Sequence, residues 1–170
     1  PEQTSKRHQG SSHFMAKPSS LAFGQPGMLA TAHEEDEVTQ DTTPASFMGP
    51  TLWTSDISEF DAGHASHYDM LHNSPSGAGI AWSGEGNTYF LFDGAHASVT
   101  RYEFHADHGP GGEDHSDGEV ARFGEGLFGY VKGTPSHMEV DLTTGILYIA
   151  DTGNNRVAAL YPSTGEKGGA

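Results

Sequence analysis

The segment Asp107–Gly118, DHGPGGEDHSDG, holds the densest set of metal-ligand side chains in the chain. Asp107, Glu113, Asp114 and Asp117 offer hard carboxylate oxygens, while His108 and His115 offer imidazole nitrogens. Gly109, Gly111 and Gly112 let the backbone turn back so that the two ends of the segment converge. Carboxylates with carbonyls suit Ca²⁺, and two imidazoles with a carboxylate suit Zn²⁺ or iron. The spacing is neither that of an EF-hand loop nor that of an HExxH helix. Two readings stand. In one, the segment binds Ca²⁺ or Zn²⁺, with Asp107, Asp114 and Asp117 as leading ligands and His108 and His115 as alternatives. In the other it is an acidic loop that solvates the rim or meets a protein.

The remaining histidines are weighed by their settings. His64, His67 and His72 fall in DAGHASHYDMLHNSP, where no helical pattern groups His64 and His67, which read as surface polarity of a loop, while His72 stays open as a further metal ligand. His137 differs, because it stands directly before a stretch with strand character. No Ser-His-Asp arrangement and no phosphate-binding loop is visible, so no organic cofactor is expected.

Those side chains must be held by strands. Met138 to Leu142 alternates apolar and acidic residues, the period-2 pattern of a half-buried strand. Thr143-Thr144-Gly145 supplies a hairpin loop with glycine where a positive φ is needed. Ile146 to Ala150 is almost wholly apolar, which predicts a strand covered on both faces. Asp151-Thr152-Gly153-Asn154-Asn155 forms a second turn. There Asp151 is expected to accept backbone N–H groups just after it, Gly153, Asn154 and Asn155 tolerate left-handed angles, and Arg156 reaches back toward Asp151 or the turn carbonyls. Arg156 to Tyr161 is a third strand.

The same layout recurs. Met138 falls on Ile80, Gly145 on Asn87, Asp151 on Asp93 and Val157 on Val99 at a constant offset of 58, so Gly79–Phe104 is a second ungapped copy. His96 then occupies the turn position of Asn154. Pro18–Thr31, with Pro26-Gly27 as its hairpin turn, is a weaker copy offset by 59. The expected repeats lie near 14–34, 79–104 and 137–161, with an acidic insertion over 105–133 that stretches the spacing. Residues 33–46 read as a solvated acidic loop, and 1–13 as a disordered tail preceding a partial propeller over 14–170. Phe47–Trp53 reads as an outer-strand or packing element.

The stretch YIADTGNNRV (Tyr148–Val157) resembles the signature of the NHL repeat. That resemblance implies an all-β fold, a partial β-propeller of short antiparallel strands, about three blades of a six-bladed ring. Such propellers act as binding scaffolds, with a protein, peptide or small-molecule ligand in the central channel. PSHMEVD (Pro135–Asp141) is also similar to a zinc-ligand position of the amidating lyase family, whose histidines sit at first-strand starts. The resemblance implies His137 as a metal ligand and a metal-dependent lyase as the alternative function. Ser20 and Ala78 or Gly79 occupy the corresponding slots in the other copies. Arg101 and Tyr102 match no motif and receive no role.

Composition bounds the rest. Gly 23 and Pro 9 in 170 residues supply the turns that many short strands require. A formal net charge of −15 argues against nucleic acid, whose binding depends on Lys and Arg neutralising phosphate. No apolar run approaches a membrane span. Zero cysteines exclude disulfides and thiolate metal sites.

Overall fold

The computed structural model describes residue 5 and residues 15–36, 47–59 and 67–164. The expected tail, apart from residue 5, lies outside these residues, as do His64 and residues 37–46 of the acidic loop. The described chain is all-β and forms three antiparallel sheets, each with its strands in sequence order. The first sheet holds β1 (Pro18–Phe23), β2 (Met28–His33), β3 (Thr51–Thr54) and β4 (His67–Met70). The second holds β5 (Gly77–Trp82), β6 (Thr88–Asp93), β7 (Ser98–Glu103) and β8 (Glu119–Phe123). The third holds β9 (Met138–Asp141), β10 (Ile146–Asp151) and β11 (Arg156–Leu160).

The middle sheet is packed through both faces, and β6 shows how its sequence achieves this. Side chains alternate across a strand, so Tyr89 and Leu91 join Met28, Ala30 and Leu52 of the first sheet. Phe90 and Phe92 point the other way, onto Met138, Val140, Leu147 and Ile149 of the third sheet. Each such buried apolar side chain contributes about 1.5–3 kcal/mol. Strand β10 was expected to be covered on both faces, but Leu147 and Ile149 are buried while Tyr148 is 44% exposed. Among the described residues only one of its faces meets a neighbouring sheet. In β9 the expected alternation holds, with Met138 and Val140 buried and Glu139 exposed.

The repeat register is realised in the pairing. Ile80 faces Leu91 in the second sheet, and Met138 faces Ile149 in the third. The first strands run beside one another, and Ser136 N donates to Ala78 O at 2.8 Å. A Cβ on Gly79 would lie 1.9 Å from the Ser136 carbonyl oxygen, so that approach requires glycine.

The turns follow the sequence with two corrections, the donor to Asp151 and the backbone angle of Gly153, which is not positive. Gly145 takes φ 71°, and Asp141 Oδ1 accepts the Thr143 N–H at 2.9 Å. Arg156 Nε donates to Asp151 Oδ2 at 2.6 Å, as expected. The backbone N–H that Asp151 binds belongs to Gly129, in the loop before the third sheet, at 2.7 Å. Burial alone would raise the Asp151 pKa. The Gly129, Asn154 and Arg156 donors outweigh it and leave the carboxyl below the usual range. Asn155 holds the left-handed angle at φ 52°, and Ala97 holds it in the second copy at φ 50°.

Two segments expected outside the sheets belong to the fold. Within 105–133, β8 is the outer strand of the second sheet, with Val99 facing Phe123 and Glu103 facing Glu119. At the start of the acidic loop His33 is buried, and Glu34 accepts the Tyr130 hydroxyl at 2.7 Å. Phe47–Trp53 contains most of β3, whose Trp53 Nε1 donates to Thr31 Oγ1 at 2.8 Å. Among the described residues no helix is long and apolar enough to cross a membrane.

Candidate metal centre

Strand β4 begins the site. His67 and Asp69 flank a β-bulge in β4, His67 pairing with Trp53 and Asp69 with the adjacent Leu52, and both are buried. The segment 107–118, which joins β7 to β8, lies against the outer side of β4. His108 N donates to Tyr68 O at 3.1 Å, and Gly111 N donates to His67 O at 2.9 Å. Gly109 and Gly111 take the left-handed angles φ 71° and 67° that this return requires. A Cβ on Gly112 would stand 2.6 Å from Nδ1 of His108, so that glycine makes room for the imidazole.

Three imidazoles converge there. His67, His108 and His115 each present a ring nitrogen, and these nitrogens all lie within 4.8 Å of one another. On one tetrahedral zinc, with Zn–N near 2.1 Å, such nitrogens stand roughly 3.4 Å apart. The ring centroids of His108 lie 5.0 Å from those of both His67 and His115.

Two of the rings are oriented by hydrogen bonds on the opposite nitrogen. His115 Nδ1 lies 2.7 Å from Asp69 Oδ1, and His108 Nδ1 lies 2.6 Å from Gly109 O. A carboxylate and a carbonyl only accept, so each Nδ1 carries a proton, and in the neutral ring that binds a metal Nε2 keeps its lone pair. Met70 N is 3.1 Å from His115 Nδ1, but its shorter bond of 2.6 Å goes to Asp69 Oδ1. Nε2 of His108 and Oδ2 of Asp69 are buried without a hydrogen-bond partner. A carboxylate behind an imidazole that faces a metal is a recurrent ligand support.

The acidic residues of the segment are used otherwise. Asp107 Oδ1 accepts Gly109 N at 3.0 Å, and Asp117 Oδ2 accepts Ala106 N at 3.2 Å. Asp114 Oδ1 accepts both the hydroxyl of Ser116 at 2.6 Å and its N–H at 3.1 Å, and these bonds hold its pKa below the usual value. Glu113 is exposed. Of the residues expected to bind metal, the structure brings together His108 and His115. It adds His67, which the sequence reading took for loop surface. No local signal marks His67, because a β-bulge interrupts the alternation between it and Asp69 and its neighbours come from the 107–118 segment.

His137 stands apart, its side chain 72% exposed and 4.0 Å from Glu139. It lines a cleft of about 310 Å³ between the first strands, with Leu21, Phe23, Ile80, Trp82 and Leu142. His72 Nδ1 meets the Phe47 carbonyl. His96 is a turn residue, as expected, with Nδ1 2.8 Å from Asp93 Oδ2. Arg101 pairs with Glu103, and Tyr102 is buried with its hydroxyl 2.6 Å from the His72 carbonyl. A second group, Glu103, His105 and Glu119, is more exposed, and Arg101 already engages its Glu103.

The described sheets make this an all-β protein of propeller type. No protein-family model matches the chain, and no curated protein matches it. Among solved structures it is similar to luciferin-regenerating enzyme, with a TM-score of 0.48 and 16% identity over 87% of this chain. The chain spans 43% of that protein's length. A likeness at this level transfers no activity.

Proposed function

We propose that this chain is a binding scaffold of NHL-type blades that holds one zinc-class transition-metal ion on His67, His108 and His115. The observation that carries the reading is the convergence of those imidazoles, two of them held with Nδ1 protonated and Nε2 free to coordinate. Imidazole nitrogens favour Zn²⁺ over Ca²⁺, which prefers an oxygen shell. The buried, half-satisfied carboxylate of Asp69 supports a cation beyond the ring it binds. The NHL assignment rests on the Tyr148–Val157 motif and its partial recurrence at Phe90–Val99.

Elemental analysis after dialysis against Zn²⁺ tests the reading. One zinc per chain is expected, falling to background in His67→Ala, His108→Ala and His115→Ala. Equal zinc in all of these variants would overturn it.

The cleft beside His137 favours a second reading, a lyase-like enzyme acting on a peptide or small molecule held between the first strands. That reading requires His137→Ala to lose metal while His67→Ala keeps it.

A further inference from the structure

The three imidazoles leave a tetrahedral ion one ligand short, and among the described residues no carboxylate oxygen belongs to the converging group. Asp69 Oδ1 binds the Nδ1 side of His115, which sets the carboxylate behind the ring and away from the Nε2 that would face the metal. Asp107, Asp114 and Asp117 accept hydrogen bonds within their own segment. His72 binds the Phe47 carbonyl through Nδ1 and is not among the converging nitrogens. The group is reached from the side of His115, whose side chain is 23% exposed, while His67 and Nε2 of His108 are buried. Three protein ligands with an accessible fourth position is the pattern of sites that exchange ligands, whereas structural zinc sites are closed by four.

Charge selects what enters. A divalent ion on three neutral imidazoles adds +2 to a segment carrying the carboxylates of Asp107, Glu113, Asp114 and Asp117, with Asp69 behind His115. An arriving anion is repelled by the nearest of these groups, Asp69 behind His115 and Asp114 beside it, inside a screening length of roughly 10 Å. We infer, resting on the metal reading above, that the centre keeps one exchangeable coordination position open to solvent, and that this position takes a neutral lone-pair donor rather than an anion. The ligand class is an imidazole, alcohol or carbonyl.

The experiment uses the full chain loaded with Co²⁺, whose visible spectrum reports coordination, titrated at low salt with imidazole and separately with azide. Imidazole should change the spectrum at saturating cobalt. In the double variant Glu113→Gln/Asp114→Asn, azide affinity should rise several-fold, about what two unit charges at ~10 Å contribute, while imidazole affinity stays unchanged. A cobalt spectrum indifferent to both probes shows a closed centre and overturns the inference while leaving the metal reading intact. A response that appears only in His72→Ala overturns it too, by making His72 the fourth ligand. Azide affinity unmoved in the double variant overturns the charge selection. Failure to bind cobalt or zinc at all removes the metal reading itself.

Discussion

Oδ1 of Asp69 stands 2.7 Å from Nδ1 of His115, joining the outer strand of the first sheet to a segment 46 residues further along the chain. The contact does two things at once. It pins the long connection between β7 and β8 against β4, and it fixes the His115 ring in the group formed with His67 and His108.

Replacing Asp69 by Asn keeps the volume but removes the charge that holds the Nδ1 proton. Asp69→Asn should weaken zinc binding by about 10–100-fold, the usual effect of losing a ligand-supporting carboxylate. Competition titration with a chromophoric chelator measures this. Unchanged affinity in a folded variant would mean that the carboxylate serves packing alone.

Metal removal should loosen the join between the sheets. Binding to the folded state alone stabilises by RT ln(1 + [L]/Kd), about 2.7 kcal/mol at a hundredfold excess over Kd. A chelator should lower the melting temperature, and Zn²⁺ should restore it where Ca²⁺ does not. The zinc-dependent shift should vanish in His115→Ala. A melt indifferent to chelator and to zinc would return the segment to a solvated acidic rim.

The inner strands were legible because they repeat. The offset between Met138 and Ile80 survives as the same cross-strand partners, Ile149 and Leu91. The outer strands β4 and β8 were not, since neither sequence echoes the other and their pairing depends on strands already in place. His67 was lost with them. Its meaning comes from the segment 107–118 packing on β4, a tertiary contact with no local trace. Asp151 was read correctly as a turn residue. The identity of its donor, Gly129, could not be seen because that loop has no place in the repeat.

Acid should act through Asp151. Its side chain is fully buried, and the donors Gly129 N, Asn154 and Arg156 hold its folded pKa below the unfolded value of about 3.9. The stabilisation is therefore present above about pH 4 and is lost as pH falls through the lower folded value. Asp151→Asn should cost about 1–3 kcal/mol at neutral pH, as hydrogen bonds to a charged group are removed. The gap to the wild type should narrow as pH falls below about 4 and close below the folded value. Denaturant titrations at pH 7 and pH 3 measure both arms, and an equal gap at the two values would show that charge has no part in it.

Gly153 and Gly145 are both glycines in turns of the third sheet, but for different reasons, and substitution separates them. Gly145 takes φ 71° with nothing within 4 Å of its would-be Cβ. Its constraint is conformational, so Gly145→Ala should cost about 1–2 kcal/mol. Gly145→Asn should recover most of that, because asparagine tolerates the left-handed region. Gly153 was expected to need a positive φ, yet it is not among the positive-φ residues. Its constraint is contact: a Cβ would lie 2.5 Å from both the carbonyl carbon and the oxygen of Gly129. The Gly153 N–H already donates to that same oxygen at 2.9 Å, and Gly129 N donates to Asp151, so neither backbone can retreat without losing a hydrogen bond. Gly153→Ala should therefore cost about 1–3 kcal/mol, the usual range for forcing atoms into a packed site, and Gly153→Asn should recover nothing. Thermal melts of the four variants decide between the two causes. Rescue by asparagine at position 153 would show that backbone angle, and not the approach of Gly129, is what this turn requires.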